Sequence, residues 1–268
     1  MGCIQSRPRG LAHGAKEAPI SARLGSWKAT GVVGLGKSGL KTFPPEILTL
    51  TSSVRVLDLS FNNLDQLPNI SVLSRLVSLD LRQNHLLSLD PSVGLLPYLR
   101  TLHLDRNPRL ACLPAELTRC HSLEKLSMAN CGLTEIPDLS SVKCLSSLSA
   151  PGNQLAEIPS WVAACSRLEM IDLSHNKIQE IPDGISRLRK LKRLNLDGNE
   201  VRKVPSAVLA DCTSLQSLAL HSNPITLADL RETEGFTAFE QRRVEKFNKV
   251  VGAGVLLGKG GFDSGLDR

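Results

Sequence analysis

The first ten residues, MGCIQSRPRG, carry the clearest chemistry in the chain. Gly2 becomes the terminus once Met1 is removed, Ser6 stands at the hydroxyl position of an N-myristoylation signal, and Cys3 offers a thiol beside it for S-acylation. One myristoyl chain holds a membrane only marginally, at ~10⁴ M⁻¹, so stable anchoring needs a second acyl group or a basic patch. Cys3 is the first of these, and Arg7, Arg9, Lys16, Arg23 and Lys28 are the second. Each cation contributes about 1 kcal/mol near an anionic leaflet.

Other reactive residue types lack the context that chemistry needs. Gly31 to Ser38, GVVGLGKS, spells a phosphate-binding P-loop with Gly31, Gly36, Lys37 and Ser38 in place. Such a loop requires a buried strand before it and a helix after it, whereas SARLGSWKAT precedes it and the proline-bearing KTFPPEIL follows. No nucleotide is expected. The seven cysteines form no Cys-x-x-Cys pair, and Cys120, Cys165 and Cys212 recur too far apart for a disulfide or a metal, so reduced, buried thiols are expected. The six histidines make no ligand cluster, and no serine, histidine and acid are expected to converge. Neither a cofactor, a metal nor catalysis is expected.

What must position these residues is a repeat. Leu191 to Pro205, LKRLNLDGNEVRKVP, has apolar residues at its first, fourth, sixth, eleventh and fourteenth places, Asn199 at the ninth and Pro205 at the fifteenth. The same frame starts at Val54, Leu76, Leu99, Leu123, Leu145, Leu168 and Leu215, at intervals of 22 to 24 residues. Asparagine fills the ninth place throughout except at Cys131. Fourth- and sixth-place residues point to one face of a short strand, and no unit can bury its leucines alone, so neighbours must stack with their strands parallel. The ninth-place asparagine is expected to bond the turn leaving the strand.

This pattern is identified as that of the intracellular leucine-rich repeat family of the Leu-Pro type. The resemblance implies an α/β solenoid, a horseshoe with parallel strands on its concave face. The Met-Gly start, the lead-in TGVVGLGKSGLKTFPPEI and the tail LRETEGFTAFEQR are similar to a narrower group of small membrane-associated members with no known chemistry. The expected organisation is an acylated flexible arm (1–26), a divergent N-terminal capping repeat (27–53), eight repeats (54–225), a C-terminal helical cap (226–251) and a Gly-rich disordered tail (252–268). Val33, Leu35, Leu40 and Phe43 are the expected core places of the capping repeat. Phe236, Phe239, Phe247 and Val251 are those of the C-terminal cap.

Charge and composition narrow the function classes. Residues 1–41 hold seven Lys or Arg against one acid, while the remainder is balanced, and only 3% of residues are aromatic. Nucleic-acid binding is not expected from a neutral array of this kind. The run RLRKLKR, Arg187 to Arg193, reads as a solvated face. The expected function is a non-enzymatic scaffold at the cytoplasmic face of a membrane, with a cytoplasmic pool, presenting its concave strands to a protein partner. Asp58 and Asp80, on adjacent strands, are expected to be an unpaired acidic couple that receives a basic segment, with Phe61 and Arg82 alongside. His103, Asp105, Arg106, Asp172, Arg193, Asn195 and Asp197 extend that face. Analogy with other Leu-Pro repeat proteins gives the alternative, a regulatory subunit of a signalling enzyme in a phosphatase or small GTPase pathway.

Overall fold

The computed structural model describes residues 19–252, with side chains as far as Glu245. Each repeat contributes one three-residue strand: β1 Val32–Gly34, β2 Val56–Asp58, β3 Ser78–Asp80, β4 Thr101–His103, β5 Lys125–Ser127, β6 Ser147–Ser149, β7 Met170–Asp172, β8 Arg193–Asn195 and β9 Ser217–Ala219. Among the described residues these form one parallel sheet in chain order. Equivalent places pair, Leu57 with Leu79 and Leu79 with Leu102, so the fourth-place residues make a continuous column in the core. The sixth-place residues, such as Leu59 and Leu196, are equally buried.

The ladder does not stop where the strands do. At the eighth place, Lys37, Phe61, Gln83, Arg106, Asn130, His175 and Ser222 have φ between 52° and 62°, and Gly152 and Gly198 have 68° and 65°. A left-handed residue other than glycine costs about 1–2 kcal/mol. It turns the N–H onto the next coil, as in Phe61 N–H to the Arg82 carbonyl at 2.7 Å and His175 N–H to the Asp197 carbonyl at 2.6 Å. One place later, the asparagine amides stitch coils together. Asn176 donates to the Ala150 and Leu173 carbonyls and accepts from Leu155 N–H, all within 3.0 Å. Asn62, Asn84, Asn107, Asn153, Asn199 and Asn223 repeat this pattern.

Unit length sets the convex segment. The longer units place a 3₁₀ turn there, such as Pro91–Leu95 or Ser160–Ala164, or the short α-helix α2, Ser206–Asp211. The two 22-residue units have none. There Asn69 accepts from Ser71 N–H and Asp138 from Ser140 N–H, closing an Asx turn in less chain.

Both ends are capped. Val33, Leu35 and Phe43 are buried as expected and Leu40 partly so. The arm, however, is not an irregular tether up to residue 26: α1, Ile20–Thr30, buries Trp27 and ends at Gly31 in the left-handed region, whose N–H bonds the Trp27 carbonyl. Gly31 supplies the stop, because a Cβ there would lie 2.9 Å from the Ser53 carbonyl oxygen. The C-terminal cap is two helices, α3 Leu227–Glu232 and α4 Phe236–Gly252, separated at Gly235. Leu230 and Phe239 are buried against the array and Phe236 packs partly on it. The Phe247 and Val251 side chains lie outside the described residues.

Candidate protein-binding face

On the face opposite the leucines, strand side chains stand half-exposed in rows set by the register. Asp58 pairs with Asp80 and Asp80 with His103, and the same row runs on through Ser127 and Ser149 to Asp172 and Asn195, while Arg193 stands exposed at the start of β8. The expected unpaired acidic couple is not what the fold builds. Arg82, two residues beyond Asp80, folds back onto it with a two-pronged ion pair, Nε and Nη2 on the carboxylate. Asp58 accepts from the Ser60 N–H and hydroxyl at 2.9 and 2.6 Å. Asp80, Asp105 and Asp58 together raise the Arg82 pKa, the hydrogen bond that Arg82 donates to Asp80 being the largest cause. The result is a mixed cluster of three carboxylates around one guanidinium, still net acidic.

A second arrangement was missed by sequence reasoning. His103 Nδ1 lies 2.7 Å from Ser127 Oγ, and that hydroxyl donates to Asp105 Oδ2 at 2.7 Å. A serine, a histidine and an acid therefore do converge, contrary to expectation. Their order is wrong for a nucleophile: the hydroxyl proton goes to the aspartate, so Nδ1–H donates to Oγ and cannot act as its base. Asp105 also accepts from Ala129 N–H, which makes it a structural tie between coils. Asp197 does the same for His221 N–H at 2.6 Å, and its oxygen lies 3.1 Å from His221 Nδ1. Asp172 accepts from Ser174, and Asn195 from Asp197 N–H. Most acids of this face are thus held in place by the turn that follows their strand.

Phe61 and Arg106 belong to the left-handed column along one rim. Phe61 is 43% exposed and Lys37 Nζ lies 5.0 Å from its ring centre. The side chains of this column lean onto the next coil. A Cβ on Gly152 would lie 2.3 Å from Asn130 Oδ1 and one on Gly198 2.6 Å from His175 Nδ1, so a side chain at either place would have to displace the one leaning onto it.

The P-loop string is consumed by the array. Leu35 and Lys37 donate their N–H groups to the Asp58 and Ser60 carbonyls, and Ser38 and Leu40 donate to Asn62 Oδ1. The Asp58 carboxylate lies 3.0 Å from where a Gly36 Cβ would be. Amides already bonded and facing a carboxylate give no cradle for phosphate. Burial pushes the Cys120 and Cys212 thiols up to about 11, and Cys165 in the same direction, as small convex-side core residues. Among the described residues no group of His, Cys, Asp or Glu is arranged to hold a metal, and no helix is long and apolar enough to cross a membrane. Gly2 and Cys3 lie outside the described residues.

Comparison with known proteins agrees with this architecture. The leucine rich repeat family matches residues 74–133, 145–201 and 166–225, more than half of the chain. The chain is 39% identical over 250 residues to Plant intracellular Ras-group-related LRR protein 8 of Oryza sativa subsp. japonica, covering 90% of this chain and 65% of that one. It is 40% identical over 60 residues to protein 7 of that group from the same organism, 22% of this chain and 23% of the relative. The chain therefore spans under two thirds of these relatives' length. Among solved structures, the functional domain of InlJ from Listeria monocytogenes superposes with TM-score 0.64 at 29% identity, covering 74% of this chain and 41% of that one. The Arabidopsis receptor kinase HAESA, solved with the peptide hormone IDA and the co-receptor SERK1, gives 0.61 at 26% identity, covering 72% and 34%. Family and fold make the array a protein-binding scaffold, and the chain belongs to the leucine-rich repeat family.

Proposed function

We propose that the protein is a non-enzymatic scaffold held at the cytoplasmic face of a membrane by acyl groups on Gly2 and Cys3, with a cytoplasmic pool, and that it captures a protein partner on its strand face. One observation carries the reading of the face: each coil commits its leucines and its asparagine to stacking, and leaves a row of polar strand side chains to solvent. The net acidic cluster of Asp58, Asp80 and Asp105 around Arg82 suits a basic segment of that partner, with Phe61 at the rim. His103, Arg106, Asp172, Arg193, Asn195 and Asp197 continue the same face. Support for a peptide or protein occupant comes from the HAESA likeness, whose structure holds a peptide hormone. The relatives' Ras-group-related names support a second reading, in which the partner is a small GTPase pathway enzyme that this chain regulates.

Asp58→Asn with Asp80→Asn tests the face, because asparagine keeps the oxygen that accepts the following N–H while removing charge. Partner capture in proximity labelling and pull-down should fall by about tenfold or more, with the melt shifted by less than about 1 kcal/mol. Undiminished capture by the folded variant moves the site elsewhere. Gly2→Ala tests the anchor: membrane recovery on fractionation should collapse, while Cys3→Ala leaves weaker, exchangeable binding from one acyl chain plus the basic arm. Recovery of Gly2→Ala equal to the parent would refute acyl anchoring.

A further inference from the structure

We infer that the edge by which the chain enters its strands in the second to fourth coils is an anionic-membrane contact, centred on Arg55, Arg75, Arg100 and Tyr98. This deepens the membrane reading above and uses residues that neither the acyl sites nor the strand face employ. The four side chains, with Val77, line an open cleft of ≈ 540 Å³. Their juxtaposition follows from the register. Arg55, Val77 and Arg100 hold the second place of successive units, and Arg75 and Tyr98 immediately precede two unit starts.

Charge pairing distinguishes this stretch from the rest of the edge. Further along the same column Glu169 meets Lys192 at 2.7 Å, and at the boundary of the stretch Arg100 itself meets Glu124 at 3.4 Å, so the unpaired charge is that of Arg55 and Arg75. Arg55 and Arg75 have no carboxylate partner among the described residues. The second observation is independent of charge. Large apolar side chains seldom stand exposed in the described residues, yet Val72, Leu95 and Tyr98 do, at 47%, 55% and 58%. Val72 and Leu95 hold equivalent places on adjacent coils, each just before a buried leucine, Leu73 and Leu96, and three residues before Arg75 and Tyr98. A membrane surface presents both complements within a few ångströms: anionic headgroups for guanidinium forks and the acyl boundary for aliphatic groups, with a tyrosine ring favoured between them. An acidic protein segment would match the arginines and leave Val72 and Leu95 without a complement.

The test uses the full chain carrying Gly2→Ala, so that no acyl group contributes, and vesicles of phosphatidylcholine with or without about 30% phosphatidylserine. Arg55→Glu with Arg75→Glu should lower partition to the anionic vesicles by about tenfold or more, and Arg55→Gln with Arg75→Gln by somewhat less. Val72→Ser with Leu95→Ser should lower it about threefold or more, leaving the remainder more salt-sensitive. Arg202→Glu with Lys203→Glu, beyond the strands on the opposite edge, is the control and should change partition by less than about twofold. Parity of the arginine variants with the parent, or an equal loss in the control, would overturn the inference. So would a variant that keeps its vesicle binding but no longer binds a poly-glutamate peptide, which would assign the cleft to an acidic protein segment. Acyl anchoring stands or falls separately, on cell fractionation of Gly2→Ala.

Discussion

The joint between the coils starting at Leu123 and Leu145 and the joint before it solve one problem with different atoms. At the later joint Asn153 is the staple: its Oδ1 accepts from Cys131, Gly132 and Leu133 N–H groups, and its amide donates to the Met128 and Ala150 carbonyls. At the earlier joint Cys131 stands in its place. Its thiol reaches the Leu104 carbonyl at 3.3 Å but has no oxygen to offer the coil before. That coil does not need one. It carries an extra residue, Pro108 brings no N–H, and Leu110 N–H turns to its own Asn107 carbonyl at 2.9 Å. The lost acceptor and the lost donors are matched across the joint, so the ladder tolerates substitution only when both sides change together.

The largest effect should come from breaking the asparagine joint. Asn153→Ala strands three buried or half-buried N–H groups and the Met128 carbonyl, the Ala150 carbonyl keeping the Asn176 amide, and should cost about 3 kcal/mol or more in a denaturant melt. A loss under about 1 kcal/mol would mean that water replaces the staple. Restoring the family's residue at the other joint should fail to help. Cys131→Asn buries an amide oxygen where Pro108 has no N–H and Leu110 N–H is already taken, and it should destabilise by about 1–2 kcal/mol, whereas Cys131→Ala costs about 1 kcal/mol or less. A stabilised Cys131→Asn would show that Leu110 N–H can turn back, which removes the matching argument. The smallest effect lies at the C-terminal cap, where a carboxylate takes the amide's role. The Thr226 hydroxyl and N–H hold the Asp229 carboxyl below its usual range. A depressed folded-state pKa stabilises above the unfolded value near about 3.9 and loses that contribution as pH falls through the lower folded one. Melts of the parent should therefore weaken slightly more below about pH 4 than melts of Asp229→Asn.

These contrasts mark what the sequence could and could not reveal. The strand frame was legible because apolar fourth and sixth places recur in every unit, with an asparagine at the ninth place of all but the unit with Cys131, and stacking turns that periodicity into register. Unit length also carried information: the 22-residue units are those with an Asx turn in place of a 3₁₀ turn. Helix α1 was not legible, since ISARLGSWKAT buries only Trp27, although Pro19 before it and Gly31 after it mark its ends in retrospect. The Asp80–Arg82 pair and the His103–Ser127–Asp105 chain escaped for a different reason. Both depend on which way a half-exposed side chain leans on or just after the strand, which the residue pattern does not specify. The acyl signal at Gly2 and Cys3 rests on motif alone, outside the described residues.

A parallel sheet that offers each new coil the same ladder has no built-in length, and two copies could in principle add end to end into a filament. The first strand is sealed against this. Its Val32 N–H is taken by the Thr30 hydroxyl at 3.3 Å, and its Gly34 carbonyl by the Arg23 guanidinium at 2.7 Å, while α1 covers the core behind it. The helix that sequence reading passed over therefore works against end-to-end addition, by occupying part of the template that the next molecule would otherwise use.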